Sequence, residues 1–110
     1  MDIEILHIED CPNWQETGDR VVEVLAQLGV PDTPVRFTLL ATSDEAALVP
    51  FAGSPTVLID GIDAFPGDGQ TSDLACRVYL ADGRFSGSPS IADLRSAFVQ
   101  ALTSPVTDYL

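Results

Sequence analysis

The apolar residues of this chain recur with two different periods, and the change from one period to the other marks seven predicted elements. Continuous or alternating apolar runs that are rich in β-branched and aromatic side chains are typical of strands. They predict four strands, over residues 2–9, 35–40, 56–60 and 62–65. Apolar residues at helical spacing predict three helices, over residues 14–28, 44–49 and 91–102. The predicted order is therefore β-α-β-α-β-β-α.

Polar residues and glycines place the ends of these elements. Each predicted helix opens on a capping-box pattern, a polar cap followed three residues later by an acidic residue: Asn13 with Glu16, Thr42 with Glu45, and Ser90 with Asp93. The apolar faces predicted for the first and last helices are Trp14, Val21, Val22, Leu25 and Leu28, and Ile91, Leu94, Phe98, Val99 and Leu102. Asp60-Gly61 predicts a hairpin turn. Residues 66–73 predict a surface loop, and residues 74–84 allow either a strand with a turn or a loop element beside the sheet.

A βαβ unit followed by a helix, a β-hairpin and a terminal helix predicts one α/β domain with a central mixed sheet flanked by helices. A chain of 110 residues is long enough to bury a single core without disulfide bridges. We expect the domain to span residues 1–103 and residues 104–110 to form a C-terminal tail.

The charge balance narrows the classes of partner. Five arginines, no lysine and seventeen acidic residues give a formal net charge of −12, which disfavours nucleic acid and anionic membrane surfaces. No apolar run reaches the roughly 18 residues that cross a bilayer, and Asp2 and Glu4 stand where a secretory signal has basic residues. We therefore expect a cytoplasmic protein that needs no cofactor. In a reducing compartment its two cysteines are expected to be thiols, catalytic or metal-binding, rather than a structural bridge.

Cys11 is the main candidate for chemistry, because it lies between the first predicted strand and the first predicted helix. The N-terminus of a helix favours a thiolate over a thiol, which makes Cys11 a candidate nucleophile. Trp14 stands three residues later, where a dithiol enzyme has its second cysteine. Two other interpretations of Cys11 stay open, a small apolar core residue and a ligand of a soft metal ion.

Four short motifs together carry a family resemblance: Asp10-Cys11-Pro12, the run 53–61 (GSPTVLIDG), Cys76-Arg77-Val78-Tyr79 and Ser88-Pro89-Ser90. The chain resembles a group of small bacterial thioredoxin-like proteins, some of which are labelled alkylmercury-lyase-like. The resemblance covers residues 2–102 and implies a thioredoxin-like fold with thiol chemistry. Trp14 in place of the second active-site cysteine departs from the dithiol pattern of thioredoxins.

In a thioredoxin-like fold, the residue before the first helix and the X-Pro turn before the third strand meet at one edge of the sheet. The resemblance therefore implies that Cys11 lies beside Ser54 and Pro55, and that Pro55 is preceded by a cis peptide bond. The backbone groups of Ser54 would then be free to hold an extended substrate by strand addition. Pro12 and Trp14 are the other predicted substrate-binding residues, and Trp14 is either a hydrophobic lid or part of a substrate groove.

Two further residues are candidates for partners of Cys11. Cys76 is either a buried residue of an apolar stretch or a second functional thiol, which resolves a mixed disulfide or binds a metal. The second role requires residues 66–76 to fold back until the Cα atoms of Cys76 and Cys11 are within about 7 Å. His7 is the single histidine, and strand geometry places it roughly 13 Å from Cys11, so a Cys-His nucleophile pair is disfavoured.

Three functions follow from these residues. The first is an atypical thioredoxin-like thiol-disulfide oxidoreductase, with Cys11 as nucleophile and Cys76 as resolving thiol, acting on a thiol or disulfide substrate. The second is a soft-metal or organomercurial handling protein with two thiolate ligands. The third is a non-catalytic thioredoxin-like binding module.

Overall fold

The computed structural model describes residues 1–9, 11–66, 69–81 and 83–103. The predicted tail at 104–110, Asp10, part of the predicted 66–73 loop and Asp82 lie outside the described residues. In chain order the elements are β1 (Ile3–His7), α1 (Asn13–Gln27), β2 (Val35–Leu39), α2 (Ser43–Ala47), β3 (Thr56–Ile59), β4 (Ile62–Asp63), β5 (Tyr79–Ala81), β6 (Arg84–Ser86) and α3 (Ile91–Thr103). The seven predicted elements are confirmed in order, and the β5–β6 hairpin is added before α3.

The main sheet is mixed and has the strand order β2-β1-β3-β4. β1 pairs with β2 in parallel and with β3 antiparallel, so that Ile5 lies between Phe37 and Val57. β3 continues into β4 through the predicted hairpin, where Asp60 (φ 53°) and Gly61 (φ 83°) both adopt the positive φ of a tight turn. The mixed α/β class is confirmed.

Both faces of the sheet are covered because alternate residues of its central strands pack into two separate clusters. The first cluster contains residues of β1, β3, α1 and α3: Ile3, Ile5, Val21, Val24, Leu25, Val57, Ile59, Leu94 and Phe98. The second lies around α2 and the segment after it: Leu6, Ile8, Cys11, Leu40, Ala46, Phe51 and Leu58. All four residues of β3 are buried, which explains why three of them are apolar and why Thr56 is the exception that is hydrogen-bonded, to the Gly53 carbonyl.

The helix ends separate correct predictions from wrong ones. The Thr42/Glu45 capping box is present at α2, and the Ser90 hydroxyl accepts from the Asp93 backbone N–H at 3.1 Å. The predicted Asn13 cap is wrong, because the N-cap of α1 is Pro12.

Three predicted core positions are also wrong, since no element covers them among the described residues and they are exposed: Val22, Val99 and Leu102.

The predicted strand 62–65 ends early for a local reason. The Ala64 N–H still donates to the Val57 carbonyl at 2.8 Å, and the Asp63 side chain then accepts from the Phe65 backbone N–H at 2.9 Å, which turns the chain. Among the described residues, no helix combines the length and the apolar character needed to cross a membrane.

Candidate functional site

Cys11 lies at the start of α1 as predicted, and its side chain is completely buried. Its thiol donates to the Ser54 carbonyl oxygen at 3.5 Å and accepts from the Asn13 side-chain amide at 3.5 Å. The contact with Asn13 explains why that residue does not cap the helix, because its amide is turned toward the sulfur. The predicted proximity of Cys11 to Ser54 is confirmed.

The hydroxyl, N–H and carbonyl of Ser54 all form hydrogen bonds with other residues of the chain. Its hydroxyl accepts from the Ile8 N–H at 3.1 Å, its N–H donates to the Ala75 carbonyl at 2.8 Å, and its carbonyl accepts from the Arg77 N–H at 2.8 Å. The Ser54–Pro55 peptide bond is cis, as expected. However, the expectation that Ser54 leaves its backbone groups free for a substrate is wrong, because residues 75 and 77 of the same chain already bind them.

Cys76 lies directly opposite Ser54. The two residues form an isolated parallel β-bridge, so the chain folds back to Ser54, the residue that contacts the Cys11 sulfur. The approach of Cys76 to Cys11 itself stays a prediction. The Cys76 side chain is exposed, and its interpretation as a buried core residue is therefore wrong. Both cysteines are thiols, one buried below the Ser54 backbone and one exposed beside it.

Residues 70–79, here named the return segment, run alongside residues 49–55. The Gln70 side chain donates to the Val49 carbonyl at 2.8 Å, and the Thr71 N–H donates to the Phe51 carbonyl at 2.7 Å. Further along, the Tyr79 hydroxyl donates to the Pro55 carbonyl. The return segment therefore contacts the whole approach to the Ser54–Pro55 turn.

Exposure alternates along the end of the return segment. Arg77 and Tyr79 are buried, with only 4% and 6% of their surface exposed, whereas Cys76 and Val78 are exposed. This period of two is typical of a strand that covers a core with one face. Cys76 is consequently held on the outer face by buried neighbours.

Arg77 is the main attachment of the return segment. Its guanidinium forms an ion pair with Asp63 at 3.0 Å, donates to the Phe65 carbonyl and lies 4.9 Å from the centre of the Tyr79 ring. A buried arginine requires such a set of partners, because an unpaired charge inside a protein is costly. The ion pair attaches the return segment to the β3–β4 hairpin.

Gly53 permits the close approach of the return segment. Its φ is +109°, and a Cβ atom built on it would lie 2.8 Å from the Cβ and 2.9 Å from the Cα of Arg77. Any other residue would collide with the Arg77 backbone. Sequence reasoning missed the roles of Asn13, Gly53, Arg77 and Tyr79, although the glycine before Ser54-Pro55 was a usable signal for close backbone contact.

Trp14 packs away from the cysteines rather than over them. Its indole stacks on the His7 ring, with ring centres 4.3 Å apart, and meets the edge of Phe37 at 5.5 Å. Trp14 also packs against the first core cluster, whereas Cys11 belongs to the second. These contacts support the lid interpretation for the core and leave its predicted role in substrate binding as a prediction. Pro12 is exposed beside Cys11.

His7 is buried on the Trp14 side of the sheet, and its Nδ1 atom has no hydrogen-bond partner among the described residues. Burial lowers the pKa of His7 below the ordinary value of 6.5, and a backbone contact at Ile8 opposes the shift to a lesser extent. Folding therefore favours the neutral imidazole. The stability that depends on the neutral His7 is fully present above the unfolded-state pKa and is lost as the pH falls toward the lowered folded-state pKa.

We expect a His7→Phe variant, which keeps a ring on Trp14, to remove this pH dependence. Between about pH 7 and about pH 5, the unfolding free energy of the wild type should fall relative to that of the variant, by at most about 1.4 kcal/mol per pH unit. Urea denaturation across this range measures the difference. Parallel stability curves for the two proteins would contradict the assignment to His7.

The described residues hold no group of three or more His, Cys, Asp or Glu side chains arranged to bind a metal ion. Around the Ser54 turn lie the buried Cys11 thiol with the Asn13 amide and, as the bridge partner of Ser54, the exposed Cys76. Comparison of the chain with protein-family models, with curated proteins and with solved structures gave no match.

Proposed function

We propose that this chain is a thioredoxin-like thiol-disulfide oxidoreductase in which Cys11 and Cys76 form the working pair of thiols. The observation that carries the proposal is their common contact with Ser54. The Cys11 sulfur is 3.5 Å from the Ser54 carbonyl oxygen, and Cys76 is the bridge partner of Ser54. Trp14 therefore does not remove the second thiol from the site, because Cys76 provides it from another part of the chain.

The arrangement of elements supports a thioredoxin-like fold. A parallel β-α-β unit is followed by a helix, an antiparallel hairpin and a terminal helix, with the strand order β2-β1-β3-β4. Cys11 precedes α1 and Ser54-Pro55 precedes β3, which are the positions that the family resemblance implied. The β5–β6 hairpin is an addition to this arrangement.

Ser54 is the shared neighbour of the two cysteines, and this supports a reversible disulfide between them. Bridged strands lie about 4.8 Å apart, so Cys76 is one strand spacing from Ser54. A disulfide needs Cα atoms about 4.4–6.8 Å apart, and side chains that point toward each other. Cys76 points outward in the described state, so a local movement of the return segment is part of the proposed reaction.

In the proposed reaction a substrate disulfide is reduced to two thiols while Cys11 and Cys76 are oxidised to one intramolecular disulfide. An external dithiol then reduces the protein again and is itself oxidised to a disulfide. We place the exchange in the cytoplasm, where thiols are maintained in reduced form. The net charge of −12 favours neutral or basic substrates over nucleic acid.

Binding of a soft metal ion by the same two thiols is the second candidate function. Two thiolates without a third nearby ligand among the described residues suit a soft ion of low coordination number, such as Hg(II). Stoichiometric Hg(II) binding that either Cys→Ser substitution abolishes, in a chain that does not catalyse disulfide reduction, would favour this candidate.

Catalysed reduction of the disulfides of insulin, with dithiothreitol as the recycling dithiol, tests the proposed function. We expect the wild type to accelerate the reaction and Cys11→Ser and Cys76→Ser each to lower the rate at least about tenfold. The matched control is Ser96→Ala on the exposed side of α3, which should keep the full rate. Undiminished activity in either cysteine variant would overturn the two-thiol proposal.

A further inference from the structure

We propose that Cys76, not Cys11, is the thiol that attacks the substrate, and that Cys11 is the thiol that resolves the mixed disulfide. This order is the reverse of the one that the sequence suggests, and it rests on the proposed function. The reason is that the return segment covers Cys11 in the interior and holds Cys76 at the surface.

Cys11 is closed to an incoming substrate. Its side chain has no exposed surface, and its sulfur is in contact with the Ser54 carbonyl and the Asn13 amide. Attack on a disulfide requires direct access of the thiolate to a substrate sulfur. A disulfide outside the protein therefore cannot reach Cys11 in the described state.

The site beside Cys11 is also closed to an extended peptide. Ala75 and Arg77 take the backbone N–H and carbonyl of Ser54, the groups that would pair with an added strand. The Arg77 backbone lies so close to Gly53 that even a methyl group at residue 53 would collide with it. The return segment thus occupies the place where an external substrate chain would bind.

Cys76 is presented at the same place, but on the outside. It is exposed, while its neighbours Arg77 and Tyr79 are buried and bound to Asp63 and the Pro55 carbonyl. The nearby side chains Val78 and Leu80 are 60% and 63% exposed. The outward thiol is therefore flanked by apolar surface, which suits a neutral disulfide better than an anionic one.

The two steps balance as ordinary thiol-disulfide exchange. The Cys76 thiolate attacks one sulfur of the substrate, a Cys76–substrate disulfide forms, and the other half of the substrate leaves as a thiolate that takes a proton from water. The Cys11 thiolate then attacks the Cys76 sulfur, the Cys11–Cys76 disulfide forms, and the second half of the substrate leaves. The substrate gains two electrons, and the protein pair loses them.

Single-cysteine variants separate the two orders. Cys11→Ser and Cys76→Ser, each reduced and then mixed with the neutral aromatic disulfide dithiodipyridine, release thiopyridone that is followed by absorbance in a stopped-flow instrument. We expect Cys76 in the Cys11→Ser variant to react at least about 100-fold faster than Cys11 in the Cys76→Ser variant, because a buried thiol reacts only after local opening. Mass spectrometry should find a stable mixed disulfide on Cys76.

Two controls keep the result interpretable. In guanidinium chloride the two variants should react at similar rates, which shows that the difference arises from the fold, and Cys11→Ala replaces Cys11→Ser if the buried serine prevents folding. Equal native rates, or faster reaction of Cys11, would overturn the proposed order. If the wild type nevertheless forms the Cys11–Cys76 disulfide, only the order fails; if it forms none, the proposed function fails.

Discussion

Replacing Asp63 by asparagine is expected to lower the free energy of unfolding by about 3 kcal/mol, because it removes the carboxylate that forms an ion pair with the buried Arg77 guanidinium. The Arg77 side chain is only 2% exposed, and Asp63 is its ion-pair partner at 3.0 Å. Asparagine keeps a side-chain oxygen that can still accept from the Phe65 N–H, so the turn after β4 is retained. Urea denaturation measures the loss.

The matched control is Asp2→Asn, which breaks the ion pair between Asp2 and Arg36 at 2.8 Å. Both of these side chains are about half exposed, so water screens the pair and we expect little change in the free energy of unfolding. Equal losses in the two variants would show that Arg77 does not depend on Asp63, and that the return segment is attached in some other way.

Replacing Gly53 by alanine is expected to destabilise the protein by about 2–4 kcal/mol and to expose Cys11. Alanine at residue 53 must adopt a φ of +109°, which L side chains rarely allow. Its methyl group would also lie 2.9 Å from the Arg77 Cα atom. The return segment has to move away, and its hydrogen bonds to Ser54 break with it. In a Cys76→Ser background, Cys11 should therefore react with iodoacetamide at least about tenfold faster than in the parent.

Gly29→Ala provides the control for conformation without crowding. Gly29 has a φ of +79°, and a Cβ there would meet nothing within 4 Å among the residues that the structure describes. We expect a loss of about 1 kcal/mol and no change in the alkylation of Cys11. If Gly53→Ala lowers stability but leaves the Cys11 rate at the control value, the return segment does not cover Cys11.

The order of the main elements could be predicted from the sequence because local patterns determine them. β3 has the apolar run Val57–Ile59 and is buried on both faces, and Asp60-Gly61 has the turn chemistry of its hairpin. The Asn13 cap could not be predicted correctly, because its amide is drawn to a sulfur whose position depends on the rest of the fold. Tertiary packing also decides which apolar helix residues are covered, as Val99 shows.

The candidate site was half predictable. The approach of Cys11 to Ser54 was implied by the family resemblance, which places both residues at one edge of the sheet. The approach of Cys76 was not, because the path of the return segment depends on non-local contacts: the absence of a side chain at Gly53 and the ion pair between Arg77 and Asp63. A buried arginine has the hydropathy of a surface residue, so this stretch does not show the pattern of a covered strand.

The most direct test of the central claim, that Cys11 and Cys76 form one redox pair, is a peptide map of the native protein after oxidation. The reduced chain is equilibrated in a glutathione redox buffer, quenched with acid, alkylated and digested, and the disulfide-linked peptides are identified by mass spectrometry. We predict a Cys11–Cys76 disulfide within one chain that replaces both alkylated cysteines together. A native chain in which Cys76 carries glutathione or links two molecules while Cys11 stays a thiol would contradict the account.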